Sequence, residues 1–108
     1  MYPKSLEHSP NGRFVCVIGE GEYVIYTALA WRNKSYGSAQ HFVWAHDSKR
    51  YAVRESSMKI KIFIKFKQER LFEPYFSSEA IYGGFLLAVK SSKFVCLYDW
   101  EKCRLIRK

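Results

Sequence analysis

His46, Asp47 and Ser48 stand side by side, and they are the residue types from which a base, an orienting acid and a nucleophile are built. Hydrolytic chemistry needs the three stacked in space in that working order. Consecutive residues of one polar turn do not reach that geometry, so "HDSK" at 46–49 reads as a turn ahead of an apolar run. Gly19 and Gly21 in "VIGEGEYVIY" raise a second possibility, a phosphate-cradling loop. Such a loop follows a strand and opens a helix. Here "EYVIY" follows, with the alternation of a strand, and the two glycines are expected to serve a hairpin with positive φ. His8, His41 and His46, with Cys16, Cys96 and Cys103, are metal-ligand types without the close paired spacing of a zinc site. Glu20 and Glu22 flank one glycine, and Glu55, Glu69, Glu73 and Glu79 are scattered, which does not suggest paired catalytic carboxylates. The expectation is no enzyme, no metal and no cofactor.

Basic charge is the more serious functional signal. Eighteen Lys and Arg against ten Asp and Glu give a net charge of +8. Lys59, Lys61, Lys65 and Lys67 alternate with Ile60, Ile62, Ile64 and Phe66. On a single strand that alternation places the lysines on one face and the apolar side chains on the other. Beside Tyr51, Phe63 and Tyr75, such a stripe is a candidate contact for an anionic membrane or for RNA. Lysines also shield strand edges from unwanted pairing, and nucleic acid is not the expected partner. A second candidate is a protein-contact surface at Trp31, Arg32, Lys34 and Tyr36, in what reads as a long, non-repeating connection.

These residues are held by a repeat. "RFVCVIGEGEYVIY" (13–26) lies over "RYAVRESSMKIKIF" (50–63) without a gap at an offset of 37, and "FLLAVKSSKFVCLY" (85–98) follows at an offset of 35. Each unit is a strand, a small polar or glycine turn, and a second strand alternating with period two: Tyr23 and Ile25, Ile60 and Ile62, Val95 and Leu97. Val17 against Arg54 is the mismatch in the first pair. "HFVWA" and "AIY" add a strand upstream of the second and third units. The unit of roughly 35 to 37 residues suits a four-stranded propeller blade, for which about 40 is typical. The reading is all-β: a partial β-propeller of short antiparallel four-stranded sheets. Residues 1–108 would be a section of one propeller domain, roughly two and a half to three blades, short of the about four needed to close. The expected core is Phe14, Cys16, Tyr23, Ile25, Tyr51, Val53, Ile60, Ile62, Leu86, Ala88, Val95 and Leu97.

The chain has 108 residues, 48% hydrophobic and 18% aromatic, enough for one modest core. No run of 18 apolar residues is present, and "MYPKSLEHSPNGR" lacks the apolar centre of a signal peptide. Three widely spaced cysteines suit reduced, partly buried thiols in the cytosol.

The words "RNKSYGSAQ", "WAHDS", "IYGGFLLAV" and "LYDWE" are not generic repeat signatures. Through them nearly the whole chain, from about Tyr2 to Arg107, resembles the beta-prime subunit family of coatomer, the coat of vesicles moving between Golgi and endoplasmic reticulum. The resemblance implies part of the second of two tandem WD-type propellers. It also implies a non-enzymatic scaffold in retrograde and intra-Golgi transport, with the coatomer alpha subunit and other coat subunits as partners. The expected location is cytoplasmic, peripheral on Golgi membranes and coated vesicles. In that family the dilysine cargo signal is read mainly by the first propeller, to which this segment does not correspond. The alternative reading is a free-standing basic β module that binds RNA or an anionic membrane surface.

Overall fold

A computed structural model describes residues 3–74, 76–102 and 104–107, with side chains described up to 105. Twelve strands form three four-stranded antiparallel sheets, each a simple meander. The first holds β1 (Ser5–His8), β2 (Phe14–Ile18), β3 (Glu22–Thr27) and β4 (Asn33–Ser38). The second holds β5 (His41–Trp44), β6 (Arg50–Ser56), β7 (Lys59–Ile64) and β8 (Lys67–Phe72). The third holds β9 (Ala80–Tyr82), β10 (Leu87–Lys90), β11 (Val95–Tyr98) and β12 (Leu105–Arg107). The sheets stack face to face as blades, with β1 against β5 and β5 against β9. The three expected hairpins are β2–β3, β6–β7 and β10–β11.

The cores lie between the blades. Cys16, Ile18, Tyr23 and Ile25 of the first sheet meet Phe42, Trp44, Tyr51 and Val53 of the second. On the second sheet's other face, Ala52, Ile60 and Ile62 meet Ile81, Leu87, Val89, Cys96 and Tyr98 of the third. The middle sheet is therefore buried on both faces, and β6 is buried without alternation from Tyr51 through Arg54.

This arrangement corrects the expected core in the third unit. Val95 and Leu97 do correspond in register to Ile60 and Ile62. Ile60 and Ile62 are buried because a further sheet covers their face, whereas among the described residues no sheet covers that face of the third one. Val95 is 47% exposed and Leu86, Ala88 and Leu97 are only half-buried, while Leu87, Val89, Cys96 and Tyr98 carry the packing. Phe14 is likewise half-buried, stacked near Trp44 and edge-on to Phe66.

The ungapped match of the first two units is also one residue out over the first strand. Cys16 pairs with Ile25 as Ala52 pairs with Ile62, an offset of 36 on one strand and 37 on the other. A bulge between Arg54 and Ser56 absorbs the extra residue. Arg54 thus corresponds to Ile18, not Val17.

Candidate functional site

The turns ahead of β2 and β6 are built alike. The Asn11 side-chain oxygen accepts from the Arg13 amide at 3.0 Å, and the Asp47 carboxylate accepts from the Lys49 amide at 2.9 Å. Asp47 also accepts from the Arg50 amide at 3.1 Å and the Arg50 guanidinium at 3.2 Å. Partial burial would raise the Asp47 pKa, but those two amides and Arg50 outweigh it and hold the carboxyl below its ordinary value. Ser48, at φ 61°, accepts from the Asn11 amide at 3.0 Å and so ties the first blade to the second. His46 stacks on Phe85 with centroids 4.5 Å apart, and its Nδ1 lies 3.3 Å from the Gly84 carbonyl. The three residues therefore point to three different partners, and the polar-turn reading describes them. Of the two hairpin glycines, Gly21 takes the positive φ, at 71°.

The blades are joined by two features that the sequence reading did not assign. Arg54 is buried, and burial lowers its pKa against an opposing effect of Glu79. Its guanidinium donates to Gln40 Oε1 at 2.7 Å, to Ser78 Oγ at 3.0 Å and to the Ser78 carbonyl at 2.6 Å. The mismatch at Arg54, a charge directly after the apolar Tyr51, Ala52 and Val53, was the available signal. Also between the second and third blades, the Ala45 and Gly84 backbones form a parallel bridge, with His46 N–H donating to the Gly84 carbonyl at 2.9 Å. Trp100 Nε1 donates to the same carbonyl at 2.9 Å.

The free thiols of Cys16 and Cys96 are buried, and burial, reinforced by Glu7, pushes the Cys16 thiol up. Cys103 and Tyr75 lie outside the described residues. Among the described residues no three His, Cys, Asp or Glu side chains converge as a metal site, and no helix is long and apolar enough to cross a membrane. A groove of about 530 Å³ runs beside the first strands, lined by Lys4, Glu7, Gln40, His41 and Tyr82. Burial, with Arg54 nearby, lowers the His41 pKa.

The lysines do not form one stripe. Lys59 and Lys61 lie on β7, Lys65 sits in the β7–β8 turn at φ 49°, and Lys67 opens β8. Lys61 pairs in register with Val53 and so shares the face turned to the first blade, where it meets Glu55 at 3.0 Å. Lys67 pairs with Ile64, which pairs with Arg50, and that is the other face. The strand reverses between them because residues 65 and 66 take left-handed backbone.

Trp31, Arg32, Lys34 and Tyr36 are all exposed, but they are not in a non-repeating connection. They belong to the β3–β4 turn and to β4, the counterpart of β8. Trp31 packs on Tyr26 at 5.7 Å between centroids. Lys34 sits at the irregularity between the Ile25–Ser35 and Tyr26–Asn33 pairs, and Tyr36 pairs with Val24 on the uncovered face of the first sheet. The structure thus brings Trp31 and Arg32 to one turn, with Lys34 near the start of β4, and places Tyr36 further along that strand.

Residues 1–108 match the family described as COPA/B second beta-propeller. The chain belongs to that family. It is 58% identical to coatomer subunit beta' of Rattus norvegicus, 57% to that of Homo sapiens and 62% to coatomer subunit beta'-1 of Arabidopsis thaliana. In each case all of this chain is covered, and it spans 12% of the length of these curated relatives. Among solved structures, the β-propeller domain of Cps50 (Swd1) from Myceliophteria thermophila superposes with a TM-score of 0.72 at 11% identity, over 99% of this chain and 38% of that one. The RRP9 WD40 repeats superpose with a TM-score of 0.76 at 12% identity, over 94% and 36%. At those identities the likeness is one of fold, and the fold of this COPA/B-family chain is that of WD-type propeller blades.

Proposed function

We propose that the chain is a rigid sector of the second propeller of a beta-prime-type coatomer subunit and acts as a non-enzymatic scaffold in the vesicle coat. The observation that carries this is the match of all 108 residues, at 57–62% identity, to coatomer beta' subunits of animals and a plant. In this reading the two uncovered sheet faces, on the first and third blades, meet further blades of the same ring. The protein works in the cytoplasm, peripheral on Golgi membranes and vesicles, in Golgi-to-endoplasmic-reticulum and intra-Golgi transport. Its partners are the coatomer alpha subunit and other coat subunits.

The test is affinity purification of the full-length protein that carries this chain, with co-purifying proteins identified. Recovery of the other coat subunits is the expected result. Recovery of RNA or unrelated complexes without coat subunits overturns the reading.

A further inference from the structure

The rim that carries the turns before β2 and β6 also carries the turns after β3 and β7, because both lie at the same end of their antiparallel strands. Ala28 N–H donates to the Arg13 carbonyl, and Lys65 N–H donates to the Lys49 carbonyl at the equivalent place one blade on, both at 2.8 Å. Arg13, Leu29 and Lys34 surround one recess. Arg13, Lys49 and Lys65 surround the next, so Arg13 links the two into one basic tract across two blades. The single carboxylate lining these recesses, Asp47, is already engaged by Arg50 and two amides. Over the third blade Phe85 shares a recess with Asp99 and Glu101 and with Arg50, which pairs with Glu101.

Apolar side chains protrude from this tract. Leu29, at the tip of the β3–β4 turn, is 100% exposed, and Trp31 beside it is 56% exposed. At the opposite rim Met58, Phe94 and Val95 are 39%, 42% and 47% exposed.

We propose that the rim of the first two blades docks on an anionic phospholipid bilayer, with Arg13, Lys34, Lys49 and Lys65 over the headgroups and Leu29 and Trp31 entering the interface. Basic groups near such a surface are each attracted to it, and Trp belongs at the interfacial level. Single-stranded RNA fits less well. It needs aromatic faces open to bases, and here Trp31 packs on Tyr26 while the fully exposed group is aliphatic. The proposal rests on charge and shape and stands or falls separately from coat membership.

The 108-residue chain is floated with vesicles of phosphatidylcholine alone and with phosphatidylserine added at about a third, at two salt concentrations, and folding of each variant is checked by circular dichroism. The expected result is binding only with phosphatidylserine, weakened by salt. The combined Arg13, Lys34, Lys49 and Lys65→Gln variant lowers the partition coefficient on the order of a hundredfold or more. Leu29→Ser, which removes no charge and no packed group, lowers it about tenfold. Lys59→Gln with Lys93→Gln, at the opposite rim, changes it less than about twofold. Equal losses from both sets of charge variants, equal binding to both vesicle types, or tighter binding to polyuridine that ignores Leu29→Ser each overturn the proposal.

Discussion

Gly83 and Gly84 are adjacent, yet different physics holds each in place. A β-carbon on Gly83 would overlap the carbonyl oxygen of Trp44, backbone that cannot swing aside at the joint of two blades. At Gly84 a β-carbon meets nothing within 4 Å, but φ is 111°, where L side chains are strained. Gly83→Ala is therefore expected to lower stability by about 3 kcal/mol or more, since the sheets must part. Gly84→Ala is expected to cost about 1–2 kcal/mol of local backbone strain. Urea denaturation of the two variants checks the order, and Gly84→Ala as the more damaging change contradicts the close-approach argument. Arg54 is legible only as an oddity in sequence. Its three partner contacts come from residues 14 and 24 positions away, which no local pattern brings together.

Strands of one register have unequal energetic weight, depending on whether another sheet covers them. Ile62 and Leu97 hold equivalent places in β7 and β11, each paired with an alanine, Ala52 and Ala88. Ile62 is 1% exposed between two blades, whereas Leu97 is half-buried on an uncovered face. Ile62→Ala is expected to destabilise the chain by about 2–5 kcal/mol, through lost burial and the cavity left behind. Leu97→Ala is expected to cost less than about 1 kcal/mol. Chemical denaturation of the isolated chain measures both, and equal losses would mean that the third sheet is covered on both sides. The alternation of Tyr23 and Ile25, or Ile60 and Ile62, was readable because their period of two is local. Their partner sheet was not, since a strand's sequence shows which side chains share a face and not which face is covered.

At the scale of the molecule, the uncovered faces at the two ends complement one another. Val17, Val24 and Tyr26 of the first sheet occupy the register of Val53, Lys61 and Phe63, which face the first blade. Val95 and Leu97 occupy that of Ile60 and Ile62, which face the third. One copy's third blade can thus meet another copy's first blade as the blades within the chain already meet. Two chains of three sheets would place six around a ring, within the about four to eight at which propellers close. The isolated chain is expected to associate with rising concentration, seen by sedimentation, and its unfolding midpoint should rise with it. Val95→Lys and Tyr36→Lys should each weaken association at least about tenfold, since each sets a charge in an apolar contact. A monomer at every concentration, stable by several kcal/mol, contradicts this picture.

The repeat, its strand content and its kinship were determined by residue order alone. Period-two runs such as "EYVIY" and "KIKIF", turn residues such as Asn11 and Asp47, and words such as "IYGGFLLAV" act over a few neighbours, and a reader of the sequence sees those neighbours. Only the tertiary structure decided that Val95 is exposed while Ile60 is buried, that a bulge at residue 55 moves Arg54 into a joint, and that Lys59 to Lys67 spans a reversal. It also decided that Arg13, Lys34, Lys49 and Lys65 meet on one rim. Burial and clustering depend on which sheet stacks on which, and stacking joins residues tens of positions apart, beyond the reach of any local pattern.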